Sequence, residues 1–255
     1  MRQMALLALL GVTALAKAVE TDDAFWRVPF IGTPDEVVQR MLEIAGTRAD
    51  DLVVDLGSGD GRIVIAAAKN FGARGLGIER EADMVKESRE NARRAGVADR
   101  VSFQRADVLE ADISRATVVT VYLLPQLVER LQLRFYSELA PGTRVVAHAF
   151  GLSGWRPDRE ETVQLARSYR YQGSESRIFL WIVPANARGT WAGDGWRVRI
   201  TQDYQVIEVE GASEPSLRGR AIEWQWPEGR FRGRVEGGLI SGEVAGKPVR
   251  LTRER

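Results

Sequence analysis

Apolar residues recur along this chain in two different rhythms, and the change of rhythm divides it. Up to about residue 184, short runs that are apolar throughout alternate with stretches whose apolar residues return every three or four positions. "DLVVDLG" reads as a buried strand, "GRIVIAAAKNFG" as a helix and "RGLGIER" as a second strand. "EADMVKESRENARRAGV" is an amphipathic helix ended at Gly96, and "VSFQRAD" and "ATVVTVYLLP" are the third and fourth strands. "PQLVERLQLRFYSELAPG" is a helix closed by Pro141-Gly142, and "TRVVAHAF" is a fifth strand. A further helix is expected around "PDREETVQLA", followed by "SYRYQG" and the strand "SRIFLWIVP". Ahead of all these, "DDAFWRVPFIGTPDEVVQRMLEIAG" reads as an extended arm and a helix. Thr33 is its expected N-cap, Pro34 its first residue, and Val37, Val38, Met41, Leu42 and Ile44 its apolar face. Strands alternating with helices predict an α/β fold with a parallel sheet covered on both faces.

From Asn186 onward the rhythm shortens to a period of two, with frequent Gly and Trp and no helical pattern. "WRVRITQDYQVIEVE", "SLRGRAIEWQW", "GRFRGRVEGGLISGEV" and "KPVRLTRER" predict antiparallel strands joined by glycine-containing turns. The expected organisation is therefore a leader at 1–18, an α/β domain at 25–184 and a small C-terminal antiparallel β domain at 186–255. The tryptophans at 181, 191, 196, 224 and 226 read first as core packing and second as a binding face. The alternating arginines at 197, 199, 218, 220, 230, 232 and 234 read as a solvated face.

The beginning of the chain changes the picture. "MRQMALLALLGVTALAKA" has a basic start, a short apolar run and small residues at a cleavage-like site. That is the layout of a secretory signal, or of a leader that attaches the protein to a membrane. The expected location is exported (periplasmic) or membrane-attached, with a cytoplasmic one left open. Composition narrows the chemistry. The net charge is +1, which gives no electrostatic footprint for a nucleic-acid partner. There is no cysteine and a single histidine, His148, so no metal site is expected. His148 lies inside an apolar strand and reads as a hydrogen-bonded core histidine ahead of a general base.

The candidate chemistry sits in "VVDLGSGDGR", where the first strand of the alternation turns into a helix. In an open α/β sheet that is where ligands bind. Gly57, Gly59 and Gly61 permit close backbone approach, but the spacing is neither that of a dinucleotide loop nor that of a Walker loop. Asp55 and Asp60 would repel a pyrophosphate, whereas S-adenosylmethionine carries a sulfonium and an ammonium. Glu79 ends the second strand where an acid accepts from ribose hydroxyls. Asp107 follows the third strand and is placed to accept from an adenine amino group, with Ile78 and Val108 flanking the base.

Together, "PFIGTPDEVVQRML", "DLGSGDGRIVIAAAK", "ATVVTVYLLPQL" and "APGTRVVAHAF" resemble the small protein-lysine methyltransferases of class I, a group that includes the mitochondrial enzymes acting on the c-ring protein of ATP synthase and on the adenine nucleotide translocase. The resemblance spans roughly residues 25–184; the arm departs from it at Gly32, where the group tends to carry proline. It implies a Rossmann-like seven-stranded methyltransferase sheet and methyl transfer from S-adenosyl-L-methionine to a protein lysine. Alternatives are a small-molecule or lipid acceptor, and a non-catalytic binding module on the same fold. By resemblance, Asp55, Gly57, Ser58, Gly59 and Gly61 line the methionine end of the cofactor, Glu79 holds the ribose, and Asp107 with Val108 holds the adenine. Tyr122, Leu123 and Pro125 edge the opening for the acceptor, and Thr33 and Pro34 close over the cofactor. No side chain is expected to act as a catalytic nucleophile, because the methyl carbon is already activated and the protein's work is positioning.

Overall fold

The structure, a computed structural model, describes residues 30–169 and 173–254. The leader at 1–18 and most of the arm lie outside them. Among the described residues no helix is long and apolar enough to cross a membrane.

The α/β alternation folds as its rhythm requires. Helix α1 (Asp35–Ile44) precedes strand β1 (Leu52–Leu56), helix α2 (Arg62–Phe71), strand β2 (Arg74–Glu79), helix α3 (Ala82–Arg94), strand β3 (Val101–Arg105) and strand β4 (Val118–Val121). Helix α4 (Pro125–Glu138), strand β5 (Arg144–His148), strand β6 (Arg159–Tyr169) and strand β7 (Gly173–Ile182) complete this part. The seven strands form one sheet in the order β3-β2-β1-β4-β5-β7-β6. Strands β1 to β5 are parallel, and β7 runs antiparallel between β5 and β6. Burial on both faces explains the continuous apolar strands. Val53, Val118 and Val146 face α1, α2 and α3. Val54, Val119, Val121 and Val145 face α4, through its Val128, Leu131 and Phe135.

Two expectations are overturned here. "PDREETVQLA" is not a helix: residues 159–169 are the edge strand β6, paired with β7. Its Glu, Gln and Ala favour a helix locally, but Glu161, Val163 and Leu165 share one face, and pairing with β7 uses that period of two. Glu161 is held by both sides of the Arg40 guanidinium from α1, at 2.6 and 2.9 Å. Thr33, for its part, is not the N-cap of α1. Pro34 occupies that position, and the Thr33 hydroxyl faces His148 Nδ1 at 3.2 Å.

The second rhythm builds a second sheet of eight strands: β8 (Gly189–Gly193), β9 (Trp196–Asp203), β10 (Val206–Val209), β11 (Ser213–Arg218), β12 (Ala221–Trp226), β13 (Gly229–Glu236), β14 (Leu239–Val244) and β15 (Lys247–Arg253). Their order is β10-β9-β8-β15-β14-β13-β12-β11, all antiparallel. The edge strands β10 and β11 come together, so the sheet curls into a near-barrel. Strand β8, "GTWAG", was not foreseen because its glycines hide the alternation. Trp191, Trp224, Trp226 and Phe231 fill the interior. The arginines point outward, and Arg197, Arg230, Arg232 and Arg234 pair with Glu254, Glu214, Glu223 and Glu236.

The connection from β5 to β6 has no helix. Parallel strands separated in this way usually cross over through one. Here residues 149–158 cross the sheet face beside α4 as an extended loop, and Trp155, 1% exposed, covers that face. The Trp181 indole donates to the Trp155 carbonyl at 2.8 Å. Replacing Trp155 with alanine opens a large cavity with nothing to close it. The expected loss is about 3–5 kcal/mol of stability, read as a lower denaturant midpoint with an unchanged slope.

Candidate active site

The strand order reverses between β1 and β4, and the crevice beyond their carboxyl ends is where such sheets bind ligands. The candidate residues line up along this rim. Asp55 is next to last in β1, Glu79 ends β2, Asp107 follows β3, Tyr122 to Leu124 follow β4, and Ala149 and Phe150 follow β5.

The glycine loop is fixed from behind. Gly57 N and Ser58 N both donate to the Ile78 carbonyl at 2.9 Å, and Asn91 of α3 donates to the Asp60 carbonyl at 2.9 Å. Gly57 has φ 79°, and a Cβ there would lie 2.6 Å from Leu123 Cδ2. Leu123 therefore leans across the crevice onto the loop, which joins the expected acceptor side to the expected cofactor side. Gly61, at φ 82°, answers a different need. A Cβ there would strike Phe103 at 2.6 Å and Ser88 at 2.9 Å, so its surroundings are α3 and β3 in the interior. The Ser58 side chain also points inward, against Gly77, leaving only its backbone at the loop surface. Ile78 is fully buried, which removes it from the expected adenine sandwich; Val108 is half-buried.

The acids divide into two kinds. Asp60 is ion-paired: its carboxylate receives Arg62 Nε and Nη2 at 2.9 and 2.7 Å. Arg62 Nη1 also reaches the Thr33 carbonyl at 2.9 Å, so the arm is tied to the loop. A Cβ at Gly32 would lie 2.5 Å from the Arg62 guanidinium, so a side chain here would have to displace the tip of Arg62. Asp55 is different. It is buried, its Oδ1 accepts from the Thr120 hydroxyl of β4 at 2.7 Å, and among the described residues no cation pairs with it. Burial pushes its carboxyl up to about 7; the Thr120 hydrogen bond opposes this, and the charges of Glu79 and Asp60 add to it. Glu79 accepts from Gly59 N and from Glu81 N, both at 2.9 Å, one on each oxygen. Each oxygen keeps a lone pair for a hydroxyl donor. Asp107 accepts from Leu109 N at 2.8 Å and starts a turn that Arg134 of α4 holds through the carbonyls of Val108 and Ala111.

The expected acceptor side is aromatic. The Tyr122 ring packs 4.1 Å from the His148 ring and 6.5 Å from Phe150. His148 is buried, with Nδ1 facing Thr33 Oγ1 and Nε2 facing Ser176 Oγ at 3.1 Å, and burial lowers it to about 4. It is a neutral core histidine, as its setting in an apolar strand suggests. Pro125 is exposed at the start of α4. Phe150 escaped the reading of the sequence; so did Thr120, although a hydroxyl inside "VVTVYLL" was the visible signal.

A buried carboxylate without a counter-ion, beside a second one with free lone pairs, fits a ligand carrying a positive charge at one end and hydroxyls further along. Comparison with known proteins agrees. The model of the ANTKMT methyltransferase domain family matches residues 55–159. A protein-lysine N-methyltransferase of Saccharolobus islandicus is 47% identical over 51% of this chain and 81% of its own length. The adenine nucleotide translocase lysine N-methyltransferase of Mus musculus is 34% identical over 51% of this chain, which spans 57% of that relative. A crystal structure of an RNA methyltransferase from Salinibacter ruber in complex with S-adenosyl-L-homocysteine is 49% identical, with a TM-score of 0.56, covering 61% of this chain and 95% of that one.

The Asp55 shift sets a proton linkage. A carboxyl raised to about 7 from its ordinary 3.8 favours the folded state in its protonated form. That contribution is complete below about pH 4 and is lost as pH rises through about 7. A cation bound beside it reverses the preference. S-adenosylhomocysteine, which keeps the ammonium, is expected to bind more tightly as pH rises from about 6 to about 8 and to release a proton, measured by calorimetry in buffers of different ionisation enthalpy. Asp55→Asn removes both the proton release and about 10- to 100-fold of affinity, as expected for a charge-assisted contact.

Proposed function

Because this chain belongs to the family of S-adenosylmethionine-dependent protein-lysine methyltransferases typified by the enzymes for the ATP synthase c-ring protein and the adenine nucleotide translocase, we propose that its own acceptor is a protein lysine. The observation that carries this reading is the split of the rim into an acidic half and an aromatic half. A primary amine has to reach the methyl group uncharged. Residues 122–124 after β4 and 149–150 after β5 offer it rings and no carboxylate.

When bound, S-adenosylmethionine supplies a methyl carbon activated by its sulfonium for in-line displacement. We assign Asp55 with the backbone of Gly57, Ser58 and Gly59 to its methionine end, Glu79 to its ribose and Asp107 with Val108 to its adenine. Gly61 and Arg62 shape and anchor the loop. Tyr122, Leu123 and Phe150 align the acceptor and exclude water around it, and Pro125 fixes where α4 begins beside them. No side chain here needs to take the amine's proton. Desolvation by the rings and a neighbouring positive charge both lower an amine's pKa, so the proton leaves to solvent before the site closes. His148 serves as the neutral floor beneath Tyr122.

The test offers the purified chain methyl-labelled S-adenosylmethionine with three bacterial acceptor pools: protein freed of nucleic acid, RNA freed of protein, and small molecules with lipids. Label is expected in the protein pool, recovered as methylated lysine after acid hydrolysis. Label recovered in RNA instead, the acceptor class named for the Salinibacter ruber structure, overturns the reading. Tyr122→Ala is expected to lower kcat/KM for the protein pool at least about tenfold, on the order of one aromatic contact pair plus its packing, while cofactor affinity stays within about twofold.

A further inference from the structure

The near-barrel ends, at one point, against the acceptor loop. Its β9–β10 hairpin closes between Asp203 and Val206 with a two-residue loop, Tyr204-Gln205. Such loops favour Asn-Gly and related pairs because positive φ is needed. Here a tyrosine stands at φ 49°, a strained setting for a bulky side chain. Strain of that kind persists where the side chain is held by its surroundings, and both residues of this loop are held.

The Tyr204 ring stacks on Trp155 at 4.7 Å with planes 9° apart, and Tyr136 of α4 meets both rings edge-on at 5.2 and 6.0 Å. Gln132 of α4 donates through one amide nitrogen to the Tyr204 hydroxyl and to the Ser153 carbonyl, each at 2.7 Å. Gln205 donates to the Arg156 carbonyl. Three handholds therefore pin residues 153–156, the middle of the crossover that lacks a helix.

That crossover starts at the acceptor side of the rim. Ala149 has φ 67°, and Phe150 N donates back to the His148 carbonyl at 2.8 Å, a tight positive-φ turn that aims Phe150 at Tyr122. Turns of this kind are rare and strained, and persist only where flanking structure holds them. One flank is β5. The other is the segment clamped by the hairpin. The second wall of the opening is tied to the same point, since Gln132 and Tyr136 belong to the helix that begins at Pro125.

We propose that the C-terminal near-barrel is a brace for the acceptor opening: Tyr204 and Gln205 are positioning residues that hold residues 149–156, and through them Phe150, in register with Tyr122. This rests on the reading that the acceptor enters beside Tyr122 and Phe150. It gives the second sheet a part in acceptor selection without a binding site of its own.

The variant Tyr204→Asn/Gln205→Gly supplies the turn residues that the hairpin prefers while removing both clamps, so the barrel keeps its fold. Hydrogen exchange on the full chain reads the brace without any acceptor. The hydrogen-bonded amides that flank the clamped segment, those of Ala149, Phe150 and Asp158, are expected to exchange about tenfold faster, as for loss of an aromatic stack and its hydrogen bonds, and those of β9 and β10 to stay unchanged. The concentration of the protein pool giving half-maximal methylation is expected to rise about tenfold, with S-adenosylhomocysteine affinity within about twofold. Tyr204→Phe, which keeps the stack, is expected to retain most of the parent behaviour. Unchanged exchange at Ala149, Phe150 and Asp158 overturns the proposal, and so does faster exchange with an unchanged dependence on the protein pool. If the parent chain itself labels RNA and not protein, the acceptor reading fails, while the exchange result still decides whether the hairpin braces the loop.

Discussion

One hydrogen bond, from the Thr120 hydroxyl to the Asp55 carboxylate, joins the two central strands at the place where the strand order reverses. A carboxylate buried there without a cation is costly, and the protein keeps that cost as a standing demand for a positively charged ligand. The surrounding features follow from it. The glycine loop leaves backbone open beside Asp55, Glu79 and Asp107 extend the acidic line along the rim, and Arg62 pairs with Asp60 beside the loop. A phosphate-bearing cofactor would meet the same geometry as repulsion.

Most of the first sheet was legible because its elements depend on local patterns that burial reinforces. Apolar runs became parallel strands, and amphipathic stretches became the helices that cover them. What was not legible depended on a partner distant in sequence. "PDREETVQLA" reads as a helix until β7 and Arg40 are placed beside it. Thr33 reads as a cap until His148, 115 residues away, faces its hydroxyl. The acids of the site were visible as residue types at strand ends, but their division into paired Asp60 and unpaired Asp55 was not. Likewise the glycines were visible as a loop, yet only the packing against Phe103 and Ser88 separates Gly61, which faces the interior, from Gly57, which faces Leu123.

The second sheet shows how a missing element is replaced. A parallel sheet needs both faces covered, and the crossover after β5, residues 149–158, supplies no helix. A single tryptophan fills part of that area, and Tyr204 from the near-barrel lies on top of it. A helix would cover the face by its own hydrogen bonding; a loop held from outside covers it only while the outside contact lasts. Under the proposed brace, cover and acceptor wall are the same segment, and chain connectivity couples the stability of this face to the geometry of the opening.

The separation of charge along the rim resolves a conflict built into lysine methylation. Both reactants are cationic in water, and a carboxylate that attracts one also attracts the other. Acid placed at the acceptor would raise the amine's pKa and hold it protonated, whereas acid withheld from the cofactor would weaken its binding. Asp55 and Glu79 sit on the β1–β2 side of the switch point, behind the glycine loop. Tyr122 and Phe150 sit on the β4–β5 side, above a histidine that burial keeps neutral. Leu123, lying across Gly57, is the apolar boundary between the two halves. The sheet's topology therefore does the electrostatic sorting: reversing direction between β1 and β4 puts the two kinds of side chain on opposite sides of one crevice.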